Sequence, residues 1–259
     1  MTDQLPRHTW LEGPGVPCPP HPDARARPLR IVLLGAPGVG KGTQAELFAE
    51  RRRVCQLSTG DVFRAAKAAD PCLRTPALEE AIGYMQRGEL VPDATVVDIV
   101  KERIDCLRCE GGFMLDGFPR TVAQAEVLDE ILAAEKVRLD AVLKFDLPTG
   151  RIVARLSGRR TCPSCKSVYH VEARPPTQAG VCDRCGHALV QRDDDRPEAI
   201  RVRMQAYETS TAPLVEYYAS KGLLVSVSAE GTPEEIYARA AAAVEARKAA
   251  AAGATTGPH

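Results

Sequence analysis

A glycine-rich stretch at residues 35–43, GAPGVGKGT, nearly matches the phosphate-binding pattern G-x-x-x-x-G-K-[ST]. Gly35, Gly40 and Lys41 occupy the expected positions. Gly42 stands where the pattern places a hydroxyl residue, and Thr43 follows one position late. Backbone N–H groups, a helix N-terminus and a lysine together bind phosphate groups. The stretch therefore predicts a nucleotide-binding loop.

Two C-x-x-C pairs, Cys162 with Cys165 and Cys182 with Cys185, are separated by 16 residues. This spacing is typical of a tetrahedral site in which four thiolates leave no open position for water. The predicted metal is therefore structural zinc, and a pair of disulfides is the alternative. A nearby histidine could replace a ligand, but four cysteines suffice.

Cys106 and Cys109 form a third C-x-x-C pair, with no partner pair nearby in the sequence. They follow the helical pattern DATVVDIVKERI. We expect reduced thiols here, and the alternative is a redox or stray metal role.

Charged residues follow two further apolar runs, in LSTGDVFR at residues 57–64 and LDGFPR at residues 115–120. Ligands of open parallel sheets bind outside the carboxyl ends of the strands, where these residues would lie. Asp116 is placed to hold Mg²⁺ through water. Both segments also supply an arginine to the same edge.

Four more arginines stand beside the cysteine-rich segment: Arg155 and Arg159 before it, and Arg192 and Arg203 after it. The motifs contain no histidine or cysteine beside an acid–base partner, so acyl transfer is unsupported. Phosphoryl transfer to an acceptor phosphate needs only positioning and neutralisation of negative charge. A hinged lid that carries arginines would also exclude water.

The elements that must position these residues alternate between apolar strands and helical patterns. This alternation favours a parallel sheet that is covered by helices on both faces. The last helix is expected to start with a capping box formed by Thr232 and Glu235, with Pro233 at its first position. The five apolar runs lie at residues 29–38, 54–60, 112–116, 141–148 and 222–229.

Composition restricts the partners. The chain has 34 basic and 34 acidic residues and 5% aromatics, which argues against a nucleic-acid-binding surface. No apolar run approaches the ~20 residues of a membrane span, and the proline-rich start has no apolar core of a secretory signal. We therefore expect a cytoplasmic protein with reduced or metal-bound cysteines, although the arginines of the start leave an organellar transit peptide open.

These residues identify a family. The chain resembles an adenylate kinase of the long bacterial type with a zinc-bearing lid, over residues 29–246. G-K-G-T is the usual form of the loop in nucleoside monophosphate kinases, so Gly42 is a mark of that family. The motifs that carry the resemblance are GAPGVGKGTQ, LSTGDVFR, GELVPD, LDGFPRT, GRRTCPSC…VCDRC, QRDDD and YETSTAPLVEYY.

The resemblance implies a monomeric enzyme that transfers a phosphoryl group from Mg-ATP to AMP. It implies catalytic roles for Lys41, Arg120, Arg159, Arg192, Arg203 and Asp116. The ATP-binding residues would be Gly38, Val39, Gly40, Lys41, Gly42, Thr43, Arg155, Arg159, Val168, Tyr169 and Gly231. The AMP-binding residues would be Thr59, Gly60, Arg64, Glu89, Leu90, Val91, Gly117, Phe118, Pro119, Arg120, Gln124, Arg192 and Arg203.

The family's architecture implies a P-loop α/β fold with a five-stranded parallel sheet, an AMP-binding helical arm and a zinc-stapled lid. The core would comprise residues 29–57, 92–157 and 196–247, the arm residues 58–91, and the lid residues 158–195. Residues 1–28 would form a disordered leader and residues 248–259 a disordered tail. The stretch at residues 70–85 is longer than usual, so the shape of the arm is open.

Related kinases are the nearest alternatives. A GTP–AMP kinase or a UMP/CMP kinase would share the fold, but Thr59 favours AMP because pyrimidine kinases tend to carry alanine there. A GTPase switch would need an N-K-x-D motif, which the sequence lacks. A zinc ribbon that binds nucleic acid would need a basic, aromatic-rich surface, whereas three aspartates follow the second cysteine pair.

Overall fold

Five parallel strands form the central sheet of the computed structural model, which describes residues 27–68, 76–102 and 104–254. Their order across the sheet is β2-β3-β1-β4-β7. The described strands are β1 (Leu29–Leu34), β2 (Cys55–Ser58), β3 (Gly112–Asp116), β4 (Ala141–Asp146), β5 (Arg159–Thr161), β6 (Val168–His170) and β7 (Leu224–Ser228). The five predicted runs are confirmed as strands β1, β2, β3, β4 and β7.

Helices connect the strands and lie on both faces of the sheet. The described helices are α1 (Lys41–Arg52), α2 (Thr59–Ala68), α3 (Pro76–Arg87), α4 (Asp93–Glu102), α5 (Val122–Ala134), α6 (Thr149–Gly158), α7 (Pro197–Ala206), α8 (Leu214–Ser220) and α9 (Pro233–Ala254). Short 3₁₀ turns occupy Ile104–Arg108 and Asp193–Asp195, and a π turn occupies Tyr207–Thr211.

Strand β1 shows why the sheet needs helices on both sides. Val32 and Leu34 are buried in one apolar cluster, which contains residues of α4 and α5. Ile31 and Leu33 are buried in another, which contains residues of α1 and α9. Alternate side chains of a strand point to opposite faces, and here both sets are apolar. The α/β class with a doubly covered parallel sheet is confirmed.

The carboxyl ends of the central strands meet at one edge. Asp116, the last residue of β3, pairs in register with Leu33 of β1 and with Ser58 of β2. The loop that follows β1 and the start of α2 therefore lie beside the Asp116 carboxylate. This register brings the glycine-rich loop and the two arginine-bearing segments to the same place.

The insert between α6 and α7 is a separate small layer. Strands β5 and β6 pair antiparallel, with Arg160 opposite Tyr169. Single bridges join Thr161 to Val190 and Val181 to Ala188. The few buried apolar groups of the insert include two of its cysteines and Tyr169. Between residues 159 and 192 the insert consists of short strands and turns, without a helix.

The last helix begins as predicted. The Thr232 backbone N–H donates to Glu235 Oε2 at 2.8 Å, and the Glu235 N–H donates to Thr232 Oγ1 at 3.3 Å. The alanine-rich stretch after residue 247 was expected to be disordered, but it is helical as far as Ala254. Alanine has the highest helix propensity, which explains the extension.

Three further expectations concern the described residues only in part. Residues 1–26 of the proline-rich leader and residues 70–75 of the long stretch of the arm lie outside the described residues. Cys106 is buried, and Cys109 is disulfide-bonded. The expectation of two reduced thiols was wrong for Cys109, because C-x-x-C spacing does not reveal which other cysteine the fold brings close. Across the described ranges, no helix has the length and apolar character of a membrane span.

Candidate functional site

The glycine-rich loop joins β1 to α1 and forms one wall of a cleft of about 680 Å³. Gly38 has φ +80°, and a Cβ there would lie 2.6 Å from Leu156 Cγ on α6. Gly40 has φ +108° and precedes α1 without a side-chain cap. The first N–H groups of α1 lack acceptors within the helix, so this end of the cleft favours an anion.

Lys41 is the cation of the loop. Its Nζ donates to the Gly35 carbonyl at 2.6 Å and to the Ala36 carbonyl at 3.1 Å. Burial lowers the pKa of Lys41 to about 8, while the nearby Asp116 carboxylate acts in the opposite direction. The ammonium group is thus held at the mouth of the loop, where a bound phosphate would stabilise its charge.

Arginines from distant parts of the chain meet opposite Lys41. Burial and then Arg203 lower the pKa of Arg120 to about 10. Burial, followed by Arg64 and Arg159, lowers the pKa of Arg192 to about 9. These guanidinium groups repel one another, so the cleft holds an excess of positive charge that a polyanion would relieve.

Two aspartates hold these arginines in place. Arg159 Nε donates to Asp195 Oδ2 at 2.7 Å and its Nη2 donates to Oδ1 at 2.5 Å. Arg203 Nη1 lies 3.2 Å from Asp195 Oδ1 and 3.0 Å from Asp194 Oδ2. Although burial favours the neutral acid, Arg203 and then Arg159 lower the pKa of Asp194. The acidic run at the end of the lid therefore orients Arg159 and Arg203.

Arg155 connects three elements. Its Nη1 donates to the Val39 carbonyl of the glycine-rich loop at 3.1 Å. Its Nη2 donates to the Ala229 carbonyl after β7 at 3.0 Å. Burial, and then repulsion from Arg151, lower its pKa. Arg155 is thereby fixed between the loop and the segment that carries Gly231.

All the residues expected around ATP line the cleft: Gly38, Val39, Gly40, Lys41, Gly42, Thr43, Arg155, Arg159, Val168, Tyr169 and Gly231. So do the residues expected to be catalytic: Lys41, Arg120, Arg159, Arg192, Arg203 and Asp116. The cleft also contains Arg151, Lys166 and Arg174, which the sequence analysis did not single out. In the sequence, only their positions on α6 or in the insert would have pointed to them.

A second cavity of about 60 Å³ shares Arg64, Arg120 and Arg203 with the cleft. Residues expected around AMP line it: Thr59, Gly60, Arg64, Glu89, Leu90, Val91, Gly117, Arg120, Gln124 and Arg203. Pro119 and Arg192 line the larger cleft. Phe118 lines neither of these two cavities, since its side chain is fully buried in the core. Its side chain is therefore not available to a ligand.

A hydrogen-bond chain orients Gln124 beside this cavity. Gln124 Oε1 accepts the Arg120 N–H at 2.8 Å, and Gln124 Nε2 donates to Asp93 Oδ1 at 2.6 Å. The hydroxyl of Thr121 donates to Asp93 Oδ2 at 2.9 Å. Asp93 belongs to the GELVPD motif, but the sequence analysis gave it no role.

The four lid cysteines come together as predicted. Their sulfur atoms all lie within 4.8 Å of one another. The two turns that carry them are alike. Lys166 N–H donates to the Cys162 carbonyl at 3.1 Å, and Gly186 N–H donates to the Cys182 carbonyl at 2.8 Å. Lys166 and Gly186 both have positive φ, +61° and +73°.

The donor set fits a metal of the zinc type. All four cysteines are free thiols rather than two disulfides. The backbone N–H of His187 lowers the pKa of Cys185 to about 5, which favours the thiolate. Burial raises the pKa of Cys162 to about 11, so that thiol needs a cation beside it to ionise near neutral pH. These four sulfurs are able to complete a tetrahedral shell around zinc.

Comparison with known proteins identifies relatives over most of the chain. The family model described as "Adenylate kinase" matches residues 33–223. An adenylate kinase of Thermodesulfovibrio yellowstonii is 51% identical over 209 residues, which cover 81% of this chain and 95% of that protein. Adenylate kinases of Acidothermus cellulolyticus and Streptomyces coelicolor are 49% and 46% identical, over 83% and 84% of this chain and 98% and 99% of their own.

Proposed function

Because this chain belongs to the adenylate kinase family of phosphotransferases, we propose that it catalyses ATP + AMP = 2 ADP with Mg²⁺ and so balances the adenine nucleotides. One observation carries the site assignment. Lys41, Arg120, Arg192 and Arg203 converge on the large cleft, and Arg120 and Arg203 also line the smaller cavity. The donor would lie along the glycine-rich loop and the acceptor in the smaller cavity.

The proposed chemistry is the positioning and neutralisation of two phosphate chains. The N–H groups at the start of α1 and Lys41 would bind the β- and γ-phosphates of ATP. Arg120 and Arg203, which reach both cavities, would stabilise the charge on the phosphoryl group in flight. The AMP phosphate is already an anion, so no general base is required.

Mg²⁺ bound with ATP would supply positive charge that neutralises part of the charge on its phosphate groups. Asp116 fits it as an indirect ligand, since its carboxylate lines the cleft beside Gly42. Gly42 leaves this corner without a side chain. Zinc would be structural, held by Cys162, Cys165, Cys182 and Cys185.

The proposal includes AMP as the acceptor and a monomer that acts in the cytoplasm on free nucleotides, without a nucleic-acid or membrane partner. The balanced charge of the chain supports the absence of a nucleic-acid partner. The proposed division of the chain is a core, an AMP-binding arm at residues 58–91 and a lid at residues 158–195. A GTP–AMP kinase or a UMP/CMP kinase is the alternative, and an assay that varies both the donor and the acceptor distinguishes them.

The test is ADP production by the purified protein with Mg-ATP and, in turn, AMP, GMP, CMP, UMP and no acceptor, repeated with AMP and Mg-GTP as the donor. We expect rapid turnover with AMP alone. Turnover with CMP or UMP would overturn the acceptor assignment, and faster turnover with GTP than ATP would overturn the donor. ADP formed without an acceptor would mean that the lid admits water.

A further inference from the structure

Tyr169 lies between the nucleotide cleft and the cysteine cluster of the lid. It lies on β6, lines the nucleotide cleft and is only 7% exposed. Its ring packs in the small apolar cluster that includes Cys162 and Cys182. Its hydroxyl oxygen lies 3.5 Å from Cys182 Sγ. Tyr169 therefore lies between the cleft, which its strand lines, and a sulfur of the cysteine cluster, which its side chain contacts.

The direction of the Tyr169 hydrogen bond follows from its second partner. The hydroxyl oxygen accepts the Asp183 backbone N–H at 3.0 Å. Its own proton is thus free to point at Cys182 Sγ. A metal-bound cysteine is a thiolate, which accepts hydrogen bonds and donates none. The Tyr169 hydroxyl can therefore donate a hydrogen bond to Cys182 Sγ when the cysteine site holds a metal.

We propose that Tyr169 is a positioning residue that couples the metal site to the nucleotide face of the lid. The metal-bound Cys182 thiolate would anchor the phenol hydroxyl, and the anchored side chain would hold in place the stretch of β6 that lines the cleft on the lid side. Outer hydrogen bonds of this kind tune metal affinity, and losing one typically costs about 10–100-fold. The effect on nucleotide binding rests on the proposed function, whereas the effect on the metal does not.

The lid contains a matched control. Ser167 Oγ lies 3.1 Å from Cys165 Sγ, so it also offers a hydroxyl to a sulfur of the cluster. Ser167 does not line the cleft, although its neighbours Lys166 and Val168 do. Removing the Ser167 hydroxyl should affect the metal alone, while removing the Tyr169 hydroxyl should affect both sites.

The experiment compares the full-length wild type, Tyr169→Phe and Ser167→Ala, each loaded with zinc. Zinc release to a colorimetric chelator is timed, and the thiolate-to-metal absorption band is recorded after exchange with Co²⁺. We expect about 10-fold faster zinc release from both variants. The KM for ATP should rise about 5-fold in Tyr169→Phe alone, with the KM for AMP and kcat within 2-fold, since one hydrogen bond is lost at a distance from the transferred phosphate.

Coupling requires that the metal effect and the nucleotide effect occur together in Tyr169→Phe. Unchanged zinc release and an unshifted Co²⁺ band in Tyr169→Phe would overturn the proposed contact. Faster zinc release with an unchanged KM for ATP would overturn the coupling. A wild type without kinase activity would instead refute the proposed function and leave the metal readout intact.

Discussion

Arg159 and Asp195 form a two-pronged ion pair at the base of the lid, with Nε–Oδ2 and Nη2–Oδ1 distances of 2.7 and 2.5 Å. Asp195 is fully buried, and Arg203 Nη1 also approaches it at 3.2 Å. The pair joins β5 at the entrance of the insert to the turn at its exit. A single carboxylate thus orients two arginines of the cleft.

We expect Asp195→Asn to destabilise the protein by roughly 2–3 kcal/mol, because it leaves buried guanidinium groups without their counter-charge. Thermal and denaturant unfolding measure this change. The control is Asp193→Asn, since the Asp193 side chain is 44% exposed and its ion pair with Arg196 is loose at 3.6 Å. That substitution should change stability by less than about 0.5 kcal/mol. Equal effects of the two would show that the buried pair is unimportant.

Lys41 should take up protons when ATP binds in mildly alkaline solution. Its pKa is about 8 in the nucleotide-free protein, so much of it is neutral above that pH. Phosphate groups raise the pKa, and binding then draws a proton from the buffer. Calorimetry of ATP binding in two buffers of different ionisation enthalpy, at pH 7 and pH 9, measures the uptake. We expect more uptake at pH 9, and its persistence in Lys41→Met would assign it to another group.

The lowered pKa of Lys41 also makes the stability of the protein depend on pH. The unfolded chain, in which lysine titrates near 10.4, binds more protons than the folded one between about pH 8 and 10. This residue therefore makes the nucleotide-free protein more stable as the pH rises through that window. Arg120 and Arg192, whose pKa values are also lowered, act in the same direction. The free energy of unfolding should rise less with pH in Lys41→Met than in the wild type. Denaturant unfolding at several pH values measures both rises, and equal rises would contradict the prediction.

Lys41→Ala should reduce kcat by roughly 10³-fold, because the chain loses a positive charge aimed at the transferred phosphate. Near-normal turnover would remove the glycine-rich loop from the mechanism. Lys144→Ala provides a comparison, since Lys144 is paired with Asp146 on β4 and does not line the cleft.

Cys182→Ser should lower both the metal content and the melting temperature of the lid, while Lys41, which lies outside the insert, remains in place. The physical reason is that the insert buries few apolar groups and depends on the metal for its fold. Elemental analysis and calorimetric melting are the measurements. Cys106→Ala, outside the cluster, should keep the wild-type metal content. An unchanged melting curve and metal content in Cys182→Ser would contradict the structural role of the cluster.

Asp93→Asn should raise the KM for AMP about 10-fold with little change in the KM for ATP, since a carboxamide cannot accept from both Thr121 and Gln124 as the carboxylate does. Steady-state kinetics with each nucleotide varied in turn measure the difference. Asp98→Asn, an exposed change on the same helix, is the control. A proportional rise in both KM values would indicate a general loss of structure instead.

The local features of this protein could be predicted from its sequence because their determinants are adjacent along the chain. The loop at residues 35–43 needs only glycines, a strand before it and a helix after it. The two cysteine turns and the capping box of Thr232 and Glu235 are likewise complete within a few residues. Periodicity was enough for the five strands and for their burial on both faces.

Only the tertiary structure decided which distant groups meet. Arg64 and Arg192 come from segments far apart in sequence, yet they are close enough to influence each other's ionisation. In the sequence Asp195 is only one of three consecutive aspartates, but the fold buries it against Arg159 and Arg203. Tyr169 is placed against Cys182, and Asp93 against Gln124, by packing between elements. Sequence periodicity determines which face of an element is buried, whereas long-range register determines what that face contacts.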